Sequence, residues 1–128
     1  MKYYISAIYQ GTFEEAIEKA TAELKKEGFG ILTEIDIKET LKKKLDVDFK
    51  KYSILGACNP GLAHQALQKE DKIGAMLPCN VIVEEHDDGT VEVSAVDPSA
   101  SMQAVENEGL TEIAGQVRDL LEKVIKNI

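Results

Sequence analysis

The chain has 128 residues, 44% of them apolar, with 23 acidic against 15 basic side chains and a formal charge of −8. That length fits a single domain whose core needs no metal or disulfide to fold. With no Trp, three Phe and four Tyr, the core must be aliphatic. So acidic a surface repels phosphate backbones and anionic lipid, which argues against nucleic acid and membrane surfaces as partners.

Met1 to Ile5 runs straight into an alternating strand rather than a secretory signal, and no apolar stretch approaches the roughly 20 residues of a membrane span. The cytoplasm is therefore the expected compartment, with both cysteines reduced. A single arginine, Arg118, argues against bidentate recognition of phosphate or carboxylate as the main activity.

Lys2 to Tyr9, rich in Tyr and Ile, reads as a first strand ended by Gln10-Gly11. Thr12 and Glu15 have the spacing of a capping box. Phe13, Ile17, Ala20 and Leu24 then give one apolar helical face, and Gly28 ends the helix. From Gly30 to Ile37 the pattern alternates, with Ile31, Thr33, Ile35 and Ile37 on one side and Leu32, Glu34 and Asp36 on the other. Glu34 and Asp36 thus share a strand face and are candidates for one ligand-binding cleft, with a solvated face as the alternative. Lys38 to Leu45 reads as a short helix with Leu41 and Leu45 inward. Between Lys38 and Lys51 six lysines stand against three acids, which is read as a solvated face, with an anion-attracting patch as the alternative.

Tyr52 to Cys58, small and apolar almost throughout, reads as a strand inside the sheet. Asn59 suits an N-cap and Pro60 the first helical residue, with Leu62, Ala63, Ala66 and Leu67 on one helical face. Pro78 to His86 is the fourth strand, Asp87-Asp88-Gly89-Thr90 turns the chain, and Val91 to Val96 returns as the fifth. His86, among Glu84, Glu85, Asp87 and Asp88, is expected to be solvent-exposed at the hairpin end. Asp97-Pro98 closes the strand. A last helix runs from about Gly109, with Ile113, Val117, Leu120, Val124 and Ile128 along one stripe. Strands separated by helices and closed by a hairpin predict an α+β domain with helices mainly on one sheet face. The uncovered face still carries apolar side chains, so a homodimer is expected.

The only two cysteines each precede an asparagine: Ala57-Cys58-Asn59-Pro60 and Pro78-Cys79-Asn80-Val81. His64 follows Cys58 by six positions. Cys58, Cys79 and His64 are ligand types for a zinc-like or copper(I)-like ion, though no fourth ligand is evident. A second reading makes Cys58 a redox or nucleophilic thiol with His64 as its base. A third makes both cysteines buried small hydrophobes of a structural or partner-binding module. Asn59 and Asn80 are ligand-binding candidates, though capping and turn bonding also explain them. No Gly-rich phosphate loop, HExxH or Ser-His-Asp pattern points to a familiar enzyme. If the third and fourth strands are antiparallel neighbours, both Cys-Asn pairs share one sheet end; if parallel, they lie a strand length apart. Spacing does not choose.

Three segments in order, Gly28-Phe29-Gly30-Ile31-Leu32-Thr33-Glu34-Ile35-Asp36, Leu55-Gly56-Ala57-Cys58-Asn59-Pro60 with Ala63-His64 and Ala66-Leu67, and Leu77-Pro78-Cys79-Asn80-Val81, resemble the bacterial and archaeal "domain of unknown function 302" family. The resemblance covers nearly the whole chain. It implies one domain over residues 1–128 and a TATA-binding-protein-like α+β fold, strand–helix–four strands–helix around a five-stranded antiparallel sheet. The similarity is one of topology and carries neither DNA binding nor an established activity. An antiparallel sheet would make Cys58 and Cys79 spatial neighbours, with helix N-terminal amides after Asn59-Pro60 favouring a Cys58 thiolate and Cys79 buried. The favoured function is binding of a small molecule or metal ion near Cys58/Cys79.

Overall fold

A computed structural model describes residues 2–128. Strand β1 (Tyr4–Tyr9) leads to helix α1 (Phe13–Lys26), strand β2 (Gly30–Asp36), helix α2 (Ile37–Leu45), strand β3 (Tyr52–Cys58) and helix α3 (Pro60–Lys69). A 3-10 segment at Asp71–Met76 precedes the hairpin of β4 (Cys79–Glu85) and β5 (Val91–Val96). Helix α4 (Pro98–Ser101), a 3-10 turn at Met102–Ala104 and the long helix α5 (Gly109–Lys126) complete the chain. The five strands form one sheet in the order β1-β5-β4-β3-β2, every pair antiparallel. The fold is α+β, with one sheet face covered by helices.

Local chemistry explains the boundaries. The amide of Glu15 donates to Thr12 Oγ1 at 3.1 Å while Thr12 N donates to Glu15 Oε1 at 3.0 Å, a complete capping box. At the other end of α1, Gly28 takes the left-handed φ of 86° that lets the chain turn back into β2. Gly89, with φ 88°, does the same in the β4–β5 turn, where its amide bonds to the His86 carbonyl. Strand alternation then sets the layers. Leu55 and Ala57, Val81 and Val83, and Val91, Val93 and Ala95 point toward the helices and are almost fully buried. They meet Ala16, Ala20 and Leu24 of α1 and Val117, Leu121 and Val124 of α5.

Three expectations need correction. The alternation of β2 is broken by a register shift between Ile31 and Thr33. Ile31 pairs with inward Ala57, but Thr33 and Ile35 pair with Gly56 and Ile54 on the open face, so the four residues do not share a side. Glu34 and Asp36 consequently fall on the helix side, where both stay exposed at the sheet edge. Leu45 does not face inward either; it is 66% exposed, because α2 lies against the β2–β3 edge rather than over the core. In α5 the stripe is rotated slightly: Leu121 is fully buried and Leu120 only half-buried.

Gly56 sits where β3 is most crowded. A Cβ there would approach Pro78 Cγ at 2.9 Å and collide with Thr33 Oγ1. Gly56→Ala should therefore cost about 1–3 kcal/mol in urea unfolding, the usual range for overpacking. Gly30→Ala, with open space around it, should stay within about 0.5 kcal/mol; equal costs would mean that crowding is not what requires glycine at 56.

Candidate functional site

The end of β3, the start of α3, the start of β4 and the middle of α5 enclose a small, largely apolar cleft. Its lining includes Phe29, Leu62, Leu77, Met102, Ile113 and Val117 as well as both cysteines. The register brings the two cysteine positions to one sheet end: Ala57 pairs directly with Cys79, so Cys58 is one residue from the cross-strand partner of Cys79. The enclosed space is about 30 Å³, far below the few hundred needed for an organic ligand. It is enough for a single ion or a water-sized group.

Cys79 is buried and Cys58 half-buried, both as free thiols. Burial pushes the Cys79 thiol up to about 11, and the nearby Cys58 adds to the rise. Asn59 caps α3: its Oδ1 accepts the Leu62 amide at 3.3 Å, while its Nδ2 donates to the Glu27 carbonyl at 3.4 Å and ties α3 to the end of α1. The same capping spends the helix end. Pro60 has no N–H, the Ala63 amide bonds to the Asn59 carbonyl, and the Leu62 amide is used by the side chain, so Gly61 alone keeps a free amide in that turn.

The other candidates are dispersed. His64 is exposed on α3 and does not line the cleft. Asn80 pairs with Gly56 and points to the open sheet face. Glu34 pairs with Leu55, three residues from Cys58 along β3, and Asp36 is occupied as the N-cap of α2, accepting the Glu39 amide at 3.0 Å. Cys58, Cys79 and His64 do not converge as a three-ligand set; among the described residues the one such group of His, Cys, Asp and Glu is Glu84, His86 and Glu92. Two features escape sequence reasoning. Met102, the third sulfur in the cleft, arrives from a 3-10 turn with no periodic signal. His86 is not a free hairpin end but bonds through Nε2 to Glu92 Oε1 at 2.8 Å; only the pairing of Glu84 with Glu92 across the turn reveals that neighbourhood. The lysine-rich stretch is mostly neutralised, by pairs such as Lys43–Glu39, Lys50–Glu84 and Lys51–Glu14.

A one-sided antiparallel sheet with a cysteine-lined cleft at one end defines a small α+β domain of the type that Cys-Asn motifs at the ends of β3 and β4 mark out. Residues 5–128 match the family model "Domain of unknown function DUF302", and the chain belongs to that family. It is similar to a solved structure, an uncharacterized conserved DUF302 protein from Bacillus stearothermophilus, at 27% identity and a TM-score of 0.92, covering 99% of this chain and 98% of that one. No match is found among curated proteins. Among the described residues no helix is long and apolar enough to cross a membrane.

The thiol environments predict a difference in reactivity. With limiting iodoacetamide the half-buried Cys58 should be modified first and Cys79 only as the protein unfolds; the reverse order would reassign the exposed side of the cleft. Because the folded Cys79 keeps its proton up to about pH 11 while an unfolded thiol loses it near 8.5, the folded state binds more protons in that window. Stability contributed by this group is thus present below about pH 8.5 and falls as pH rises to 11. Cys79→Ala should lack that part of the alkaline decline, measured as the difference between the two stability–pH curves.

Proposed function

We propose that this protein is a binding module for a soft monovalent metal ion of the copper(I) type, held by sulfur in the cleft between β3, α3, β4 and α5. The observation that carries the reading is that all three sulfur side chains in that region, Cys58, Cys79 and Met102, line one apolar cleft. Thiolate and thioether are the ligands that select copper(I), which accepts two or three of them, whereas zinc asks for four. The cleft's size supports an ion over an organic molecule. His64, exposed and outside the cleft lining, is not counted among the ligands. The high Cys79 pKa means that binding must displace a proton, so affinity rises with pH through the neutral range.

Anaerobic competition for copper(I) against a chromophoric chelator tests this. One ion per chain should be withdrawn from the chelator, and Cys58→Ser or Cys79→Ser should weaken binding by more than the roughly 10–100-fold that follows loss of a group supporting a metal ligand. Met102→Leu should weaken it less, and His64→Ala not at all. Binding that survives the double cysteine substitution would overturn the proposal and leave the cysteines as core residues. We also propose a cytoplasmic setting, where copper(I) and reduced thiols coexist, and pairing of two copies through apolar side chains of the open sheet face such as Tyr4, Ile8 and Ile35. Light scattering should then report about twice the 14.1 kDa chain mass; a monomer at micromolar concentration would exclude the pairing.

A further inference from the structure

We propose that the open face of the β4–β5 hairpin carries a second cation site, for a borderline divalent transition-metal ion, built by Glu84, His86 and Glu92. It is independent of the sulfur cleft in position and in chemistry. The pairing of β4 with β5 sets Glu84 directly opposite Glu92, both on the face away from the helices. His86, two residues beyond Glu84, returns to that same face, its amide still laddered to the Thr90 carbonyl. One ligand atom from each of the three residues lies within 4.8 Å of the others. Groups around one ion at about 2.0–2.2 Å lie at most about 4.4 Å apart, so a small side-chain adjustment is all that bringing the three onto one ion requires.

Like charges directly opposite on paired strands destabilise a sheet, so the Glu84–Glu92 pair calls for positive charge. The side chains are only 14% and 24% exposed, which limits help from water. Present partners neutralise part of it. Lys50 Nζ reaches Glu84 Oε1 at 2.8 Å, Ser6 Oγ donates to Glu92 Oε2 at 2.5 Å, and His86 bonds to Glu92 Oε1. With neutral imidazole, two carboxylates face one ammonium. Imidazole with two carboxylates suits zinc, cobalt or nickel rather than calcium or magnesium.

A second feature points the same way. Glu84 and Glu92 form the rim of a groove of about 470 Å³ on that face, which continues past Tyr3, Tyr4, Tyr52 and Asn80. That volume is in the range of small-molecule sites. Three protein ligands leave coordination positions vacant, as in metal sites that also take an exogenous ligand.

The test uses the full-length, tag-free chain carrying Cys58→Ser and Cys79→Ser, so that thiols do not contribute, titrated with cobalt(II) and followed by its visible absorption and by calorimetry. One cobalt per chain should bind. His86→Ala and Glu92→Gln should each weaken binding at least tenfold while the thermal unfolding curve remains cooperative. Lys50→Met should tighten it, because the competing ammonium is gone; that gain is not a result misfolding produces. Absence of binding at millimolar cobalt, or affinity indifferent to both His86→Ala and Glu92→Gln, would overturn the site. Neither result bears on copper(I) binding in the cleft.

Discussion

The register of β4 against β5 is the constraint from which the rest of the molecule follows. Val81 opposite Ala95 and Val83 opposite Val93 make a small, branched surface on which α1 and α5 can close. Alternation then fixes the other face without further choice: Ile82 meets Ser94 and Glu84 meets Glu92. Through β3 the same pairing sets Ala57 beside Cys79. A slip of one residue would turn the valines to water and the carboxylates into the core. Packing of the aliphatic face, worth roughly 25 cal/mol per Å² removed from water, is what forbids it.

The two candidate sites lie on opposite sides of that sheet and differ as their surroundings do. On the helix side, burial keeps the Cys79 thiol protonated and, apart from the Asn59 amide that caps α3, the cleft lining offers sulfur. On the open side, hydroxyl, imidazole and ammonium groups bond to the two carboxylates. Soft and borderline ligand sets are thus separated by one layer of backbone. Neither set borrows a ligand from the other, because Cys79 opens β4 while Glu84 lies near its far end.

Most of the architecture was legible in the residues. The Thr12–Glu15 box, the Asn59-Pro60 helix start and the valine alternation around Asp88-Gly89 each have one structural solution, and the chain adopts it. The neighbourhood of Cys58 and Cys79 was legible only through the family resemblance, since strand direction has no local signature. Where the sequence misleads, a tertiary cause intervenes. The shift between Ile31 and Thr33 reverses a face that strict alternation assigns to Ile35. Leu45 looks like a core residue because its helix is periodic, but that helix lies at the β2–β3 edge and leaves Leu45 exposed. Met102 and the Glu84–His86–Glu92 group could not be found from spacing, because long-range packing and hairpin register bring them together.

The interruption in β2 has a consequence beyond the direction of its side chains. A sheet edge offers unpaired N–H and C=O groups to any strand that comes alongside, and the two edges here are unequal. On the β2 side, the register shift spoils the row of free groups, and the lysine-bearing α2 lies against the strand. On the β1 side the row is the six-residue Tyr-Ile-Ser-Ala-Ile-Tyr, without charge, proline or glycine. Growth of the sheet, whether by a recruited peptide or by irreversible clumping of partly unfolded chains, is thereby directed to β1. A net charge of −8 holds copies apart by long-range repulsion, and this one strand is where high salt would expose its weakness.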